Sequence, residues 1–194
     1  MTRAARGASI ALPSRIPAGA NPEGDGIVVG AGPVTVDAYI DFQCPFCRMF
    51  EGQSGPALRR MVADRLISLV YHPLAFLDRL STTNYSSRAF SASGCAADGG
   101  EFAEYATALF ANQPPKGGPG LSDAELIQIG VAVGLDQARF APCVVARAYR
   151  RWTAYVTERA IARGVHRTPT VFVAGAPVPA YARTIAAAVE AVAA

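Results

Sequence analysis

Two cysteines, Cys44 and Cys47, lie in the run DFQCPFCRMF and are separated only by Pro45 and Phe46. A pair with this spacing can hold a metal ion, form a structural disulfide, or exchange thiols and disulfides with another molecule. Which of these chemistries operates depends on the secondary structure around the pair and on the positions of the other cysteines.

The two remaining cysteines, Cys95 and Cys143, are distant in sequence from this pair and from each other, and no histidine flanks either of them. A zinc site with four cysteine ligands usually brings two closely spaced pairs. We therefore expect no metal and no cofactor in this chain.

The Cys-x-x-Cys pair stands where a predicted strand gives way to a predicted helix. Residues 33–42, PVTVDAYIDF, place apolar side chains on one face at period two, which indicates a strand. The next stretch has apolar residues at helical intervals, and Pro45 suits the first turn of a helix. The free N–H groups and the dipole of a helix N-terminus stabilise negative charge, so we expect a lowered pKa for Cys44. Cys44 is then the nucleophile, and Cys47, one turn further on, resolves a mixed disulfide.

The order of the remaining elements predicts the fold class. After the first helix come a second strand, a long helical block, two short strands in TPTVFVAGAPVP, and a terminal helix. The order β-α-β, then β-β-α after the helical block, predicts an α/β protein with the thioredoxin fold and a helical insertion domain. The thioredoxin-fold domain would comprise residues 33–74 and 166–194, and the insertion residues 75–165. Residues 1–32, rich in Pro, Gly and Ala, are interpreted as a flexible leader.

The composition argues against several other classes of protein. The chain of 194 residues has a formal charge of only +3, a single lysine and no dense basic run with interleaved aromatic residues. We therefore expect no nucleic-acid partner. No stretch reaches the roughly 18–20 continuous apolar residues of a membrane helix. The N-terminal residues also lack the apolar core of an intact secretory signal.

Together, the motif DFQCPFC, the helical insertion and the segment GVHRTPTVFVAG resemble the DsbA-like thiol:disulfide oxidoreductases, in particular the bacterial branch with a D-(F/Y)-x-C-P-x-C motif. The resemblance covers about residues 33–194. It implies an extracytoplasmic enzyme, in the periplasm or at the cell-envelope exterior, that forms disulfides in exported proteins. Its partners would be unfolded or reduced exported polypeptides and a membrane re-oxidase of the quinone or VKOR type. We expect a monomer, and any membrane tether would be a segment absent from this sequence.

The resemblance also implies roles for residues outside the pair. Thr168 and Pro169 match the loop that thioredoxin-fold enzymes place against the active-site cysteines, with the proline in the cis form. Thr168 would then pair through its backbone with an extended substrate segment. Separately from the resemblance, we expect a structural disulfide between Cys95 and Cys143 within the insertion, because a cysteine pair in one small subdomain of an exported protein tends to bridge, with free buried cysteines as the alternative. His166, next to this loop, is a candidate for tuning the nucleophile or contacting substrate, with a surface position as the simpler alternative.

Two positions depart from the pattern of the family. Phe46 stands where many DsbA-type enzymes have histidine, so we expect a less depressed pKa for Cys44 and a weaker oxidant than a CPHC enzyme. Ala38 occupies the position, six residues before the first cysteine, where many thioredoxin-fold enzymes bury a carboxylate. Asp41 and Glu51 are candidates to replace it, although a surface or capping acid is the more ordinary interpretation of both.

Two alternatives to a disulfide oxidase remain open on the sequence. A reductase or isomerase would use the same two cysteines in another direction, although no dimerisation module of the kind that favours an isomerase is visible. A non-catalytic peptide-binding or chaperone-like module would keep the fold without turnover. Retention of both Cys44 and Cys47 argues against such a module.

Overall fold

The computed structural model describes residues 10–193. Within them a five-stranded sheet has the strand order β1-β3-β2-β4-β5. Strands β2 and β3 are parallel, and the other neighbouring strands are antiparallel. The strands are β1 (Ile27–Val29), β2 (Val34–Ile40), β3 (Ile67–Pro73), β4 (Thr170–Val173) and β5 (Ala176–Val178).

Strand β2 lies at the centre of the sheet, between β3 and β4, and its side chains alternate as the sequence analysis predicts. Val34, Val36, Ala38 and Ile40 are buried on one face, whereas Thr35 is exposed on the other. Helix α1 (Pro45–Ala63) follows this strand and packs against β3 and against the last helix, labelled α7 (Ala182–Ala193). Helix α7 in turn packs against β2 and β4. This order of strands and helices confirms the predicted α/β thioredoxin fold.

The helical block between β3 and β4 forms the second part of the molecule. It contains a short 3-10 turn at Asp78–Leu80 and five helices: α2 (Tyr85–Asp98), α3 (Phe102–Ala111), α4 (Asp123–Ala132), α5 (Gln137–Val145) and α6 (Arg150–Ala162). A disulfide between Cys95 and Cys143 joins α2 to α5. Helix α6 packs against both α2 and β3, so the insertion is attached directly to the sheet.

The interpretation of residues 1–32 as a flexible leader is wrong for residues 10–32. Strand β1 extends the sheet by pairing antiparallel with β3, and Ile10, Ile16 and Ala20 pack against the core. Residues 1–9 of the predicted leader lie outside the described residues.

Side chains from distant parts of the chain hold this N-terminal segment in place. The indole Nε1 of Trp152 donates a hydrogen bond to the carbonyl of Gly24 at 2.7 Å. The buried carboxylate of Asp25 lies 3.0 Å from the guanidinium of Arg163 and 3.4 Å from that of Arg159. A local pattern of apolar residues does not reveal such contacts, because the segment is folded by tertiary partners and not by its own periodicity.

No helix between residues 10 and 193 has both the length and the apolar character needed to cross a membrane.

Replacement of Asp25 by Asn should lower the free energy of unfolding by about 1–2 kcal/mol, because it removes the charge that pairs with Arg159 and Arg163 inside the fold. Urea denaturation monitored by circular dichroism measures this loss. Asp64→Asn, at an exposed carboxylate beyond α1, makes the same change in net charge and should alter stability by less than about 0.5 kcal/mol. Equal stabilities of the Asp25→Asn variant and the unmodified protein would show that the N-terminal segment does not depend on this cluster.

Candidate active site

The two cysteines of the CPFC motif lie at the start of α1, where the chain leaves the central strand. Cys44 is the N-cap residue of the helix and Pro45 its first helical residue, a position at which the missing N–H of proline has no cost. The backbone N–H of Cys47 donates to the carbonyl of Cys44 at 3.0 Å, which closes the first turn. Both thiols are free and buried, with Cys44 5% and Cys47 0% exposed.

The loop that precedes β4 lies opposite Cys44. Strand β4 pairs antiparallel with β2, and Thr170 stands opposite Tyr39. This register brings the residues before β4 beside the residues that follow β2. The Cys44 thiol is 3.4 Å from the carbonyl oxygen of Thr168, and the Thr168–Pro169 peptide bond is cis. Two motifs separated by more than a hundred residues in the sequence therefore form a single site.

The two thiols have pKa values shifted in opposite directions. The pKa of Cys44 is lowered from 9.0 to about 5, and the largest cause is a hydrogen bond from the Cys47 side chain, which stabilises the thiolate. Contacts with Thr168 and the backbone N–H groups of Cys47 and Phe46 act in the same direction, and burial opposes them. Burial is the main reason why the pKa of Cys47 is raised well above its usual value, followed by its hydrogen bond with Cys44 and the charge of that residue. The helix N-terminus, the cause expected from the sequence, acts through the backbone N–H groups of Cys47 and Phe46, each of which contributes less than the second thiol.

Asp41 is buried, so its more ordinary interpretation as a surface or capping acid is wrong. Its carboxylate is fully buried, and it accepts hydrogen bonds from the backbone N–H of Gln43, the backbone N–H of Leu77 and the hydroxyl of Ser86, at 2.7–3.0 Å. Burial raises the pKa of Asp41 to about 7, although these three donors oppose the shift. Its backbone N–H points at the Cys47 sulfur, 3.5 Å away. Asp41 therefore carries a carboxyl group with a pKa near neutrality and, separately, a backbone N–H that contacts the buried Cys47 thiol.

Glu51 is also buried, one turn beyond Cys47 in α1, so the surface interpretation is wrong for it as well. Its carboxylate pairs with Arg59 at 2.5 Å and accepts a hydrogen bond from the Thr107 hydroxyl at 2.8 Å. These contacts join α1 to α3. Glu51 thus has its own partners in the helix interface.

The insertion contributes residues to the site that the sequence reasoning missed. The side-chain amide of Gln113, in the loop after α3, donates to the carbonyls of Phe42 and Cys44 at 2.9 and 3.0 Å. The Gln43 amide donates to the carbonyl of Leu77 at 2.9 Å. No local sequence signal distinguishes these polar residues from ordinary surface residues, because their partners are 34 to 71 residues away.

Two of the predicted site residues are exposed. The Phe46 side chain is 67% exposed and only its backbone N–H acts on Cys44. His166 is exposed, and it is not among the groups that dominate the pKa of Cys44. Ala38, six residues before Cys44, is fully buried in β2. The charge of Cys44 acts on the pKa of the Asp41 carboxyl, three residues before it.

A groove of about 630 Å³ begins beside the cysteines and runs between the start of α1 and the segment after β5. Thr168 and Pro169 form one wall. Most of the remaining lining is apolar or aromatic, and the larger of these side chains are Phe46, Met49, Phe50, Pro177, Pro179 and Tyr181. Such a groove can accept an extended peptide whose sulfur reaches Cys44.

Within residues 10–193, no group of three or more His, Cys, Asp or Glu side chains is arranged to hold a metal ion.

Comparisons with known proteins agree with this geometry. A family model described as Thioredoxin matches residues 23–191. The reduced disulfide bond oxidoreductase DsbG from Mycobacterium tuberculosis is 32% identical, with a TM-score of 0.71 over 79% of this chain and 80% of that chain. Reduced DsbA from the same organism is 31% identical, with a TM-score of 0.70 over 79% of this chain and 84% of that chain.

A different kind of relative matches by sequence alone. The serine/threonine-protein kinase PknE of Mycobacterium tuberculosis is 35% identical over 121 residues, which are 58% of this chain and 21% of the kinase. The chain spans only about a fifth of the length of the curated relatives that it matches.

Replacement of Phe46 by His should lower the pKa of Cys44 below about 5. A protonated imidazole beside the sulfur would stabilise the thiolate, whereas the phenyl ring carries no charge. Thiolate absorbance in the ultraviolet, followed against pH in the reduced protein, measures the change. Phe46→Leu is the matched control and should leave the pKa unchanged, and a His variant with an equal or higher pKa would contradict the prediction.

Replacement of Ser86 by Ala should raise the pKa of Asp41 above about 7, because the Ser86 hydroxyl is the strongest of the contacts that stabilise the carboxylate. The carboxyl carbon resonance of labelled aspartate, followed against pH by NMR, reports this pKa. The Asp41→Asn variant identifies the resonance by its absence. An unchanged midpoint in the Ser86→Ala variant would show that this hydrogen bond does not govern the ionisation of Asp41.

Proposed function

On the premise that this chain belongs to the thioredoxin family and is a thiol:disulfide oxidoreductase of the DsbA type, we propose that it forms disulfide bonds in exported polypeptides through a Cys44–Cys47 redox pair. The observation that carries the proposal is the opposite shift of two adjacent thiols. The pKa of Cys44 is lowered to about 5, and that of Cys47 is raised.

The lowered pKa supports the oxidase direction. The folded pKa of Cys44 lies below its ordinary value of 9.0, so the thiolate stabilises the reduced protein at neutral and alkaline pH, and this contribution is lost as pH falls through about 5. Stabilisation of the reduced form makes the disulfide form a stronger oxidant. Phe46 does not remove this stabilisation, because most of it comes from other groups.

The proposed reaction has two exchange steps. A substrate thiolate attacks the Sγ of Cys44 in the Cys44–Cys47 disulfide, a substrate–Cys44 bond forms, and Cys47 leaves and takes up a proton. A second substrate thiolate then attacks the substrate sulfur of this mixed disulfide and releases Cys44 as a thiolate. The substrate loses two electrons and two thiol protons. One proton ends on Cys47 and the other in the solvent, so the protein ends reduced, with Cys44 as the thiolate and Cys47 as the thiol. The low pKa of Cys44 makes it a good leaving group in the second step.

We assign Asp41 the role of exchanging a proton with Cys47. A thiolate at Cys47 is unfavourable because the site is buried, so the departing sulfur needs a proton donor close by. The Asp41 carboxyl titrates at about 7 and is therefore able both to give and to accept a proton near neutral pH. The charge of Cys44 is among the causes that raise the pKa of Asp41, so this carboxyl lies within electrostatic reach of the thiol pair.

Substrate binding is assigned to Thr168, Pro169 and the adjoining groove. A peptide extended along the loop would pair with the backbone of Thr168, as in β-strand addition, while its apolar side chains enter the groove. The 3.4 Å separation of the Thr168 carbonyl from the Cys44 thiol supports this arrangement, since a backbone paired with Thr168 would lie next to the reacting sulfur.

The proposed setting is the periplasm or the exterior of the cell envelope, with recycling by a membrane re-oxidase of the quinone or VKOR type. The disulfide between Cys95 and Cys143 supports an oxidising compartment, because cytosolic thiols are normally kept reduced. We further propose that residues 33–74 and 166–194 form the catalytic unit, with residues 75–165 as the insertion. A reductase or isomerase on the same two cysteines is the alternative, and the potential of the couple decides between them.

The test combines refolding with trapping. Oxidised protein should restore disulfides and activity to a reduced, unfolded ribonuclease. The reduction potential of the Cys44–Cys47 couple should be higher than that of thioredoxin, which is about −270 mV. Cys44→Ser should abolish the activity, because no mixed disulfide can form at the nucleophile. Cys47→Ser, given disulfide-bonded (scrambled) ribonuclease, should accumulate a mixed disulfide visible by mass spectrometry, because the Cys44 thiolate attacks a substrate disulfide and no second thiol releases it.

A potential at or below that of thioredoxin would favour the reductase instead. Binding of the unfolded ribonuclease without any exchange would favour a peptide-binding module. A Cys95→Ala/Cys143→Ala double variant serves as the control, since it keeps the Cys44–Cys47 pair and should still exchange disulfides.

A further inference from the structure

We propose that Arg167 makes this site selective for polypeptides that carry an acidic residue within about three residues of the reacting cysteine, together with an apolar residue that enters the groove. The inference rests on the function proposed above. It names the class of substrate that the same site prefers.

The groove carries charge of one sign only, and that charge is positive. Its lining contains no acidic residue, and Arg167 is its only charged member. The rest consists of apolar or aromatic side chains, threonines and Gln53. Phe46, Met49 and Tyr181 are 67%, 52% and 66% exposed, so the groove presents apolar surface that a bound segment would cover. A basic peptide would bring like charge towards Arg167, whereas an acidic one would bring opposite charge.

Arg167 is placed to meet such a residue. It directly precedes Thr168, whose carbonyl is 3.4 Å from the Cys44 thiol. Its own carbonyl accepts a hydrogen bond from the Thr170 hydroxyl at 2.8 Å, which fixes the backbone from which the side chain extends. Arg167 is exposed, and no carboxylate between residues 10 and 193 forms an ion pair with it.

The reach of the side chain sets the distance along the substrate. Adjacent Cα atoms are about 3.8 Å apart, and an arginine side chain spans a further ~6–7 Å, so the guanidinium can reach roughly 10 Å from the Cα of Thr168, the residue with which the bound segment would pair. An extended chain advances about 3.3 Å per residue, so this distance corresponds to about three residues. A guanidinium binds a carboxylate through two parallel hydrogen bonds, so the contact depends on orientation as well as on charge.

The preferred substrates are therefore exported polypeptides, still unfolded, in which a cysteine is followed or preceded closely by Asp or Glu and by a large apolar residue. A charged contact at the rim of a groove acts mainly on the rate of association and on selectivity. It should consequently appear as a difference in second-order rate among substrates and should fade as ionic strength rises.

The experiment measures how fast reduced two-cysteine peptides reduce the oxidised protein. The peptides share one sequence with Leu next to the first cysteine. They differ only in the residues two positions before and two positions after that cysteine, which are both Asp, both Asn or both Lys. Acid-quenched samples are analysed by mass spectrometry, so each peptide disulfide formed is counted against each protein disulfide reduced. At low salt, the second-order rate at which the unmodified protein oxidises the Asp peptide should be at least about three times that for the Lys peptide. The rate for the Asn peptide should lie between them.

Arg167→Glu should reverse this order. Arg151→Glu makes the same change in charge at an exposed position on α6 and should keep the order of the unmodified protein. Equal rates for all peptides, an Asp preference that survives in Arg167→Glu, or a preference that does not weaken with salt would each overturn the inference while leaving the proposed function intact. Failure of every peptide to acquire a disulfide would instead overturn the proposed function, and this inference with it.

Discussion

One negative charge, on the sulfur of Cys44, sets the requirements that the surrounding structure meets. This residue is only 5% exposed, and a charge so far from water needs donors close to it. The Cys47 thiol and the backbone N–H groups at the start of α1 supply them. They do so because the central strand β2 ends just before the helix begins, and because Pro45 allows the helix to start at once.

The same small volume holds three titratable groups whose pKa values are driven apart. The pKa of Cys44 falls because its charged form is hydrogen-bonded, whereas that of Cys47 rises because it is buried. Asp41 is also buried, but three hydrogen-bond donors limit the rise in its pKa to about 7. Such a separation assigns chemical roles to neighbouring groups, since one is charged, one neutral and one able to exchange a proton at neutral pH.

The insertion takes part in this arrangement and does not simply extend the fold. Ser86, in α2, donates to Asp41, and Gln113, after α3, donates to the carbonyls of Phe42 and Cys44. The loop that joins β3 to the insertion contributes the backbone N–H of Leu77. The strand–helix turn that carries the cysteines is thus held from the side of the insertion. The disulfide-linked helices and the sheet together form the catalytic environment.

The sequence by itself determined the strand before the motif, the helix that begins at Pro45 and the α/β class, whereas the pairing of CPFC with a distant Thr-Pro loop was implied by the resemblance to a known family. Each of these depends on interactions over a few residues or on a motif with a strong geometric preference. It misplaced residues 10–32 and the acid Asp41, and it assigned no role to Arg167. Only the tertiary structure decided these points, because the groups that bury Asp41 lie up to 45 residues away and those that anchor Gly24 lie 128 residues away. Burial and desolvation arise from contacts between distant segments, and a local pattern carries no record of them.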